Sequence, residues 1–194
     1  RFFQEFNGKM YFRARTATYG GELWETDGTS VGTRMLKDIN PNGNSNPDQL
    51  TIANGKLFFR ADHSQYGEEL WMTDGTSSGT QLVKDIHTAG DSKPLYLKEY
   101  GGKIYFQAND GTIVRGKELW VSDGTLSNTI MLKDLNPAIG GNGTPRYFTE
   151  QYGKLFFFGN DGANDHEMWQ TDGTQSGTQL FKDINPSGSC GAGH

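Results

Sequence analysis

The sequence contains a single cysteine, Cys190, and no long apolar run. One cysteine excludes a disulfide within the chain, although it leaves open a disulfide to another chain. No apolar segment approaches the ~20 residues that a membrane-spanning helix needs, so we expect no membrane span. Basic residues are not clustered either, and the net charge of −5 argues against a nucleic-acid-binding surface.

Hydrophobic residues are also scarce, at 34% of the chain, whereas there are 27 glycines and 12% aromatic residues. Glycine favours turns and aromatic residues favour strands, so this composition is typical of a turn-rich β protein. No segment shows the 3.6-residue periodicity of an amphipathic helix. The composition therefore predicts an all-β fold.

The chain repeats itself four times. Tryptophans recur at intervals of 47, 49 and 49 residues, at Trp24, Trp71, Trp120 and Trp169. Lys-Asp pairs keep the same period, at Lys37-Asp38, Lys84-Asp85, Lys133-Asp134 and Lys182-Asp183. A repeat of about 40–50 residues is the size of one four-stranded propeller blade.

Each repeat contains four short strands separated by turn formers. In the second copy they are QLTIA, KLFFRA, ELWMT and TQLVKDI. The sequence thus predicts one repeat domain, residues 1–194, folded as a β-propeller of four blades with four antiparallel strands each. The predicted blades are residues 1–46, 47–93, 94–144 and 145–186, followed by a tail at 187–194. Apolar runs such as KLFFRA favour sheets covered on both faces, with the tryptophans packed between neighbouring blades.

Four whole units lead us to expect a compact, closed ring. The alternative is a section of a longer propeller or repeat array, whose end faces are covered by further repeats or by other chains. Uncapped apolar ends of repeat proteins favour association, so an open section predicts self-assembly.

Each unit carries Asp-Gly-Thr between its third and fourth strands. The aspartate can accept a hydrogen bond from the backbone N–H two residues on, and the glycine supplies a positive φ. Asn128 replaces the second glycine in one copy, which predicts a left-handed backbone there too. We interpret the motif as a structural turn, formed by Asp27, Gly28, Asp74, Gly75, Asp123, Gly124, Asp172 and Gly173.

Two other repeated features also have structural interpretations. The Lys-Asp pairs lie on the predicted edge strand of each blade, where charge discourages aggregation; a catalytic pair is the alternative. A glutamate precedes each Leu/Met-Trp pair, and we expect it to form a backbone or cross-strand hydrogen bond rather than to bind a ligand. These residues are Glu22, Glu69, Glu118 and Glu167.

The pattern Glu-Leu-Trp-x-x-Asp-Gly-Thr-x-x-Gly-Thr, followed by Lys-Asp-Ile, resembles the ELWxxDGT repeat family. The resemblance covers residues 22–39, 69–86, 118–135 and 167–184, with departures at Ser122, Asn128 and Met168. That family occurs as tandem arrays in large secreted or surface proteins and is associated with β-propellers. The resemblance implies this fold and an extracellular or cell-surface location, and it implies no catalytic residue. The Asp-Gly-Thr turn, or corner, also resembles the Asp-box of sialidase propellers, which is a structural turn.

Sequence motifs of enzymes are missing. There is no Gly-x-Ser-x-Gly, no His-Glu-x-x-His and no phosphate-binding loop, so we expect neither catalysis nor a cofactor. Two acidic loops, NDGTIVRGKE and NDGANDHE, contain oxygen ligands suited to calcium, with Asp110, Asp161 and Asp165 as candidates. The same letters are also plain turn signals, which is the interpretation we favour.

The Asp-Gly-Thr turns are nearly the same in every copy, and they lie on one face of the predicted propeller. The loops on the opposite face, between the second and third strands and between blades, differ from copy to copy. Binding sites commonly lie on such loops, so this variable face is the candidate binding face. Tyr19, Tyr66 and Arg115 each stand five residues before a tryptophan and are its candidate exposed contacts. Asn142 lies in an Asn-Gly-Thr sequon and is a candidate for N-glycosylation.

The sequence therefore predicts a non-enzymatic extracellular module with a structural or interaction role and an undetermined protein or glycan partner. The alternative is a lectin-like propeller that binds glycans on the variable face. A fragment of a hydrolase propeller is the third hypothesis, which a cluster of acids at the centre of the ring would support. Self-assembly, or a disulfide between chains through Cys190, is a further expectation.

Overall fold

The structure, a computed structural model, describes residues 3–163 and 165–186. Within these ranges, sixteen strands form four sheets of four strands each. Blade 1 contains β1 (Phe3–Phe6), β2 (Lys9–Thr16), β3 (Gly20–Thr26) and β4 (Arg34–Lys37). Blade 2 contains β5 (Asp48–Ala53), β6 (Lys56–His63), β7 (Gly67–Thr73) and β8 (Gln81–Lys84). Blade 3 contains β9 (Leu95–Tyr100), β10 (Lys103–Asn109), β11 (Lys117–Ser122) and β12 (Ile130–Lys133), and blade 4 contains β13 (Arg146–Gln151), β14 (Lys154–Asn160), β15 (His166–Thr171) and β16 (Gln179–Lys182).

Every sheet is an antiparallel meander in which consecutive strands are neighbours. A tight two-residue turn joins the first and second strands, with positive φ at both Asn7 and Gly8 in blade 1, as such hairpins require. The register between the third and fourth strands shifts at the same place in each blade, immediately before the tryptophan. This shared irregularity confirms that the four copies fold as one repeated unit.

The blades pack face to face in chain order, and the first strands of consecutive blades contact one another. An apolar cluster fills each junction. Between blades 1 and 2, Leu23 and Leu36 pack with Phe59 and Trp71, and equivalent clusters join blades 2 and 3 and blades 3 and 4. The chain is an all-β propeller with four blades. Trp71, Trp120 and Trp169 lie between neighbouring blades, as the sequence predicts.

Within the described residues, the four blades do not close into the ring that we expected. Phe181 and Ile184 on the outer side of blade 4 are 53% and 51% exposed, and Phe3 on the outer side of blade 1 is 63% exposed. Among the described residues, no apolar cluster joins blade 4 to blade 1. Packing runs from each blade to the next and leaves one sheet face uncovered at each end.

Two other expectations concern the membrane and the tail. The described part of the chain has no helix with the length and apolar character that crossing a membrane requires. The predicted tail at 187–194, including Cys190, lies outside the described residues.

Candidate functional site

The repeated glutamates are buried. Each accepts hydrogen bonds from the crossing, which is the segment that follows the fourth strand of a blade and leads to the next blade. Glu22 is fully buried and lies near the start of β3. Its carboxylate accepts the N–H groups of Ile39 and Ser45, both at 2.9 Å, and the Ser45 hydroxyl at 2.6 Å. One side chain therefore fixes the start and the end of the crossing between blades 1 and 2.

Glu69 plays the same part in blade 2, where it accepts the N–H groups of Ile86, His87 and Ser92 at 3.1–3.2 Å. The equivalent bonds in the later blades join Leu135 N and Gly143 N to Glu118, and Ile184 N to Glu167. The predicted backbone hydrogen bond of the repeated glutamate is confirmed in all four copies.

Burial raises the pKa of Glu69 to about 7, against the lowering effect of the hydrogen bonds from Ser92, His87 and Ile86. Burial likewise raises the pKa of Glu118 to about 7. A carboxyl group with such a pKa is a candidate acid or base when it lies in a cleft. Here both side chains are fully buried and are bonded to their own chain, so neither can reach a substrate.

The Asp-Gly-Thr corners form the predicted turn. Asp74 Oδ1 accepts the Thr76 N–H at 2.9 Å and the Thr76 hydroxyl at 2.7 Å. These bonds hold the pKa of Asp74 below its usual value, because they stabilise the charged form. Asp27, Asp123 and Asp172 make the same pair of bonds to Thr29, Thr125 and Thr174.

The second glycine of the corner is needed for a different reason from the one we expected. Gly79 and Asn128, at equivalent positions, both lie outside the positive-φ region. A Cβ on Gly79 would instead overlap the carboxylate of Asp74. Asn128 is accommodated because its Nδ2 donates to Asp123 Oδ2 at 2.6 Å. The requirement is space beside the aspartate, so the predicted left-handed backbone was wrong there.

The corner is also a contact between blades. A Cβ added to Gly124 would lie 3.1 Å from both Phe58 and Met72, which belong to the preceding blade. Gly75 and Gly173 approach Tyr11 and Tyr105 in the same way. Around Gly28 in blade 1, nothing among the described residues lies within 4 Å of the added atom.

The lysines of the Lys-Asp pairs join blades as well. Lys37 Nζ donates to the Thr80 carbonyl of the next blade at 2.6 Å, and Lys84 Nζ donates to the Thr129 carbonyl at 2.8 Å. The expected role in keeping an edge strand soluble does not describe these two lysines, because they bridge to the neighbouring sheet.

The calcium candidates do not form a common site. Asp110 and Asp161 each accept the backbone N–H two residues on, at 3.0 and 2.9 Å, and Asp165 contacts His166 Nδ1 at 2.9 Å. Within residues 3–163 and 165–186, no group of three or more His, Cys, Asp and Glu residues is arranged to hold a metal ion. The turn interpretation accounts for the hydrogen bonds of these loops.

The three candidates on the variable face lie on the second-to-third connections of three different blades. Tyr19 is 46% exposed, and Arg115 pairs with Asp110 at 3.4 Å. Tyr66 is not the exposed residue that we expected, because it packs against the cluster between blades 1 and 2 and stacks on His63, with ring centroids 4.8 Å apart. The structure brings no two of the candidates into a described contact.

Asn142 has a structural partner. Its Oδ1 accepts the Lys117 N–H at 3.1 Å, as Asn44 and Asp91 accept the corresponding N–H groups of Gly21 and Glu68. The hydrogen bond between the third strand and the crossing thus recurs in three blades and gives Asn142 a structural role; its N-glycosylation stays a prediction.

Sequence reasoning missed two grooves. One, of about 410 Å³, is lined by Arg13, Ala14, Arg15, Gly21, Asn44 and Asn46 on the variable face of blade 1; the alternating arginines of β2 were its only signal. The other, of about 400 Å³, lies between first strands of neighbouring blades, and Glu99 is the one acid among its described lining residues. That carboxylate accepts the Gly102 N–H at 2.9 Å. A single, hydrogen-bonded acid does not make the cluster that a hydrolase centre would need.

Comparison with known proteins supports the fold. No protein-family model matches the chain, and no curated protein is detectably similar in sequence. Two structures of a puromycin hydrolase, one of them a mutant complexed with PGG, match 92% of this chain at 13% and 14% identity, with TM-scores of 0.57 and 0.54. The matched part is 28% of the hydrolase chain. This likeness concerns the fold alone.

A Bacteroides ovatus structure described as xyloglucan PUL GH43B matches 96% of this chain and 41% of its own length at 13% identity. Its TM-score is 0.46, which is too loose a likeness to support an inference about activity. The chain thus spans less than half the length of each of these three solved chains.

We expect Tyr66→Ala to lower the free energy of unfolding by about 1–2 kcal/mol, because the ring packs against the junction between blades 1 and 2. Tyr19→Ala is the matched control on the equivalent loop, and its effect should stay within about 0.5 kcal/mol. Urea denaturation of both variants measures the difference. Equal losses would contradict the assignment of Tyr66 to the junction.

Proposed function

We propose that this chain is a non-enzymatic structural and interaction module of an extracellular or cell-surface protein. The observation that supports it is the use of the repeated polar residues. Glutamate, aspartate and lysine recur in every unit, and the described contacts of the glutamates and aspartates bind backbone or hydroxyl groups of the same chain. The resemblance of the repeated motif to the ELWxxDGT family supports the extracellular setting.

An interaction role follows from how the polar groups are arranged. The repeated pattern of each unit builds the blade and its junction, and a crossing also binds a loop of the variable face, where Asn40 Oδ1 accepts the Ser64 N–H at 3.2 Å. A rigid frame with variable loops is the usual arrangement of a recognition module. The activity of the puromycin hydrolase is not carried over, since only the fold is similar.

A lectin-like role is the second candidate, and one observation favours it. The polar groove of blade 1 presents exposed Arg13 and Arg15 next to the loop of Tyr19. Guanidinium donors beside an exposed aromatic ring suit a sugar hydroxyl or a carboxylate of an acidic glycan.

A glycan array probed with the purified chain tests the proposal. For the structural module we expect no glycan to be retained above background. Retention of a defined glycan that is lost in both Arg15→Ala and Tyr19→Ala, but kept in Arg115→Ala, would overturn the proposal in favour of the lectin-like role.

A further inference from the structure

Blade 4 has an uncovered apolar face, which we call the tail face. It consists of Phe156, Phe158, Met168, Phe181 and Ile184, and a groove of about 360 Å³ crosses it. The rings of Phe156 and Phe181 meet edge to face, with centroids 5.2 Å apart. An exposed apolar surface of this kind marks a contact site more often than a free surface.

The other blades show what covers such a face. Val83 in blade 2 occupies the position of Phe181 and is buried under blade 3. The residues equivalent to Ile184 are Ile39, Ile86 and Leu135, and they are likewise buried under the next blade. The tail face is therefore a surface that receives a following blade at all three junctions within the chain.

Blade 1 has the complementary surface uncovered, which we call the head face. It consists of Phe3, Met10, Phe12 and Trp24. These positions correspond to Leu50, Leu57, Phe59 and Trp71 of blade 2, all of which are buried in the junction with blade 1. Phe3 and Met10, by contrast, are exposed. The two free faces of the chain are thus the two halves of the junction that the chain builds three times.

The polar contacts of the junction are also left open. Lys182, at the position of Lys37 and Lys84, is exposed, and its Nζ has no hydrogen-bond partner among the described residues. The carbonyl of Thr33 occupies the position of Thr80, which accepts the bond from Lys37. A head face seated on the tail face would place Thr33 within reach of Lys182.

The contact between a corner glycine and the preceding blade is also unformed at the two free faces. In blade 2 the corner glycine, Gly75, lies against Tyr11 of blade 1. Phe156 of blade 4 corresponds to Tyr11, and among the described residues no corner glycine lies against it. The corner glycine of blade 1, Gly28, has open space around it. Apolar, hydrogen-bonding and corner contacts therefore identify the same missing partner.

We propose that the tail face of one copy binds the head face of a second copy of this chain. The contact is heterologous, because two different surfaces meet. Two copies supply eight blades, which lies within the range of about four to eight blades found in closed propellers, and a dimer with two such contacts covers both free faces of each copy. The segment 187–194, Ser-Gly-Ser-Cys-Gly-Ala-Gly-His, has no large apolar side chain with which to fill the groove.

Sedimentation velocity of the 194-residue chain over a range of concentrations, under reducing conditions, tests this inference. We expect a dimer. Phe181→Asp and Phe3→Asp should each weaken association by at least about 100-fold, because a charge would be buried in the apolar centre of the junction. Ile113→Asp is the matched control, since Ile113 is an equally apolar but exposed residue on a blade 3 loop, and it should leave the dimer intact. Circular dichroism and thermal melting confirm that each variant is folded.

Mixing the two face variants distinguishes a contact between head face and tail face from a contact between two like faces. Phe181→Asp keeps its head face and Phe3→Asp keeps its tail face, so the mixture should form a heterodimer although neither variant associates alone. A native chain that stays monomeric would overturn the inference. So would a dimer that survives Phe3→Asp, since two tail faces would then be in contact.

This inference names the partner of the structural module and rests on that proposed function. The two fail in different experiments. A monomeric chain would overturn the inference alone, whereas a specific glycan on the array would overturn the proposed function and leave the association data unchanged.

Discussion

Glu69→Ala should lower the free energy of unfolding by roughly 3–5 kcal/mol. The substitution removes the acceptor of three N–H groups, those of Ile86, His87 and Ser92. The glutamate itself is fully buried, so water does not readily replace the lost oxygens. Each buried donor left without a partner costs about 1–3 kcal/mol, which makes this the largest loss that we expect from a polar residue.

The neighbouring residue provides the control. Glu68 is part-exposed and contacts Arg60 at 3.6 Å, so Glu68→Ala should cost less than about 1 kcal/mol. Urea denaturation of both variants measures the two losses. If Glu69→Ala were no more destabilising than Glu68→Ala, the buried carboxylate would not stabilise the crossing. The alternative, that the repeated glutamate binds a ligand, would then be favoured.

Gly124→Val should lower the free energy of unfolding by roughly 2–4 kcal/mol. The φ of Gly124 is +92°, and a β-branched residue is strained there. The added side chain would also press on Phe58 and Met72 of the preceding blade, which are 3.1 Å from the first added carbon. Overpacking of a well-filled junction adds to the backbone strain.

Gly28→Val separates the two causes. Gly28 has the same φ of +92° but open space around it, so only the backbone strain of about 1–3 kcal/mol applies. Both substitutions should be measured by urea denaturation in the Phe181→Asp background, so that association of copies does not contribute. Equal losses at the two positions would contradict the contact between the corner and the preceding blade.

The repeat made most of the fold predictable from the sequence. Spacing between tryptophans set the size of a blade, and the turn residues Asp27 and Gly28 located the hairpin between the third and fourth strands. Four copies also made a structural role for the glutamates the simpler hypothesis, because a ligand site seldom recurs in every blade. Each of these inferences concerns the structure inside one unit.

Apart from the backbone at Asn128, the errors concern contacts between units. Lys37 and Thr80 are 43 residues apart. The sequence around Lys37 does not indicate that its side chain donates a hydrogen bond to the next sheet. The burial of Tyr66 depends on its packing against blade 1, and Phe181 is exposed because no described residue covers that face of blade 4. Closure could not be predicted for the same reason, because the angle between neighbouring sheets is set by side-chain packing rather than by the repeat period.

Amide hydrogen exchange of the native chain tests the central claim, that the repeated polar residues hold the blades together. The most informative amides are those of Ser45, Ser92 and Gly143, which lie in the crossings and donate to Glu22, Glu69 and Glu118. The account predicts that they exchange as slowly as amides of the core strands, because each is buried and bonded to a carboxylate. Exchange as fast as that of the exposed loop at Ile113 would contradict it.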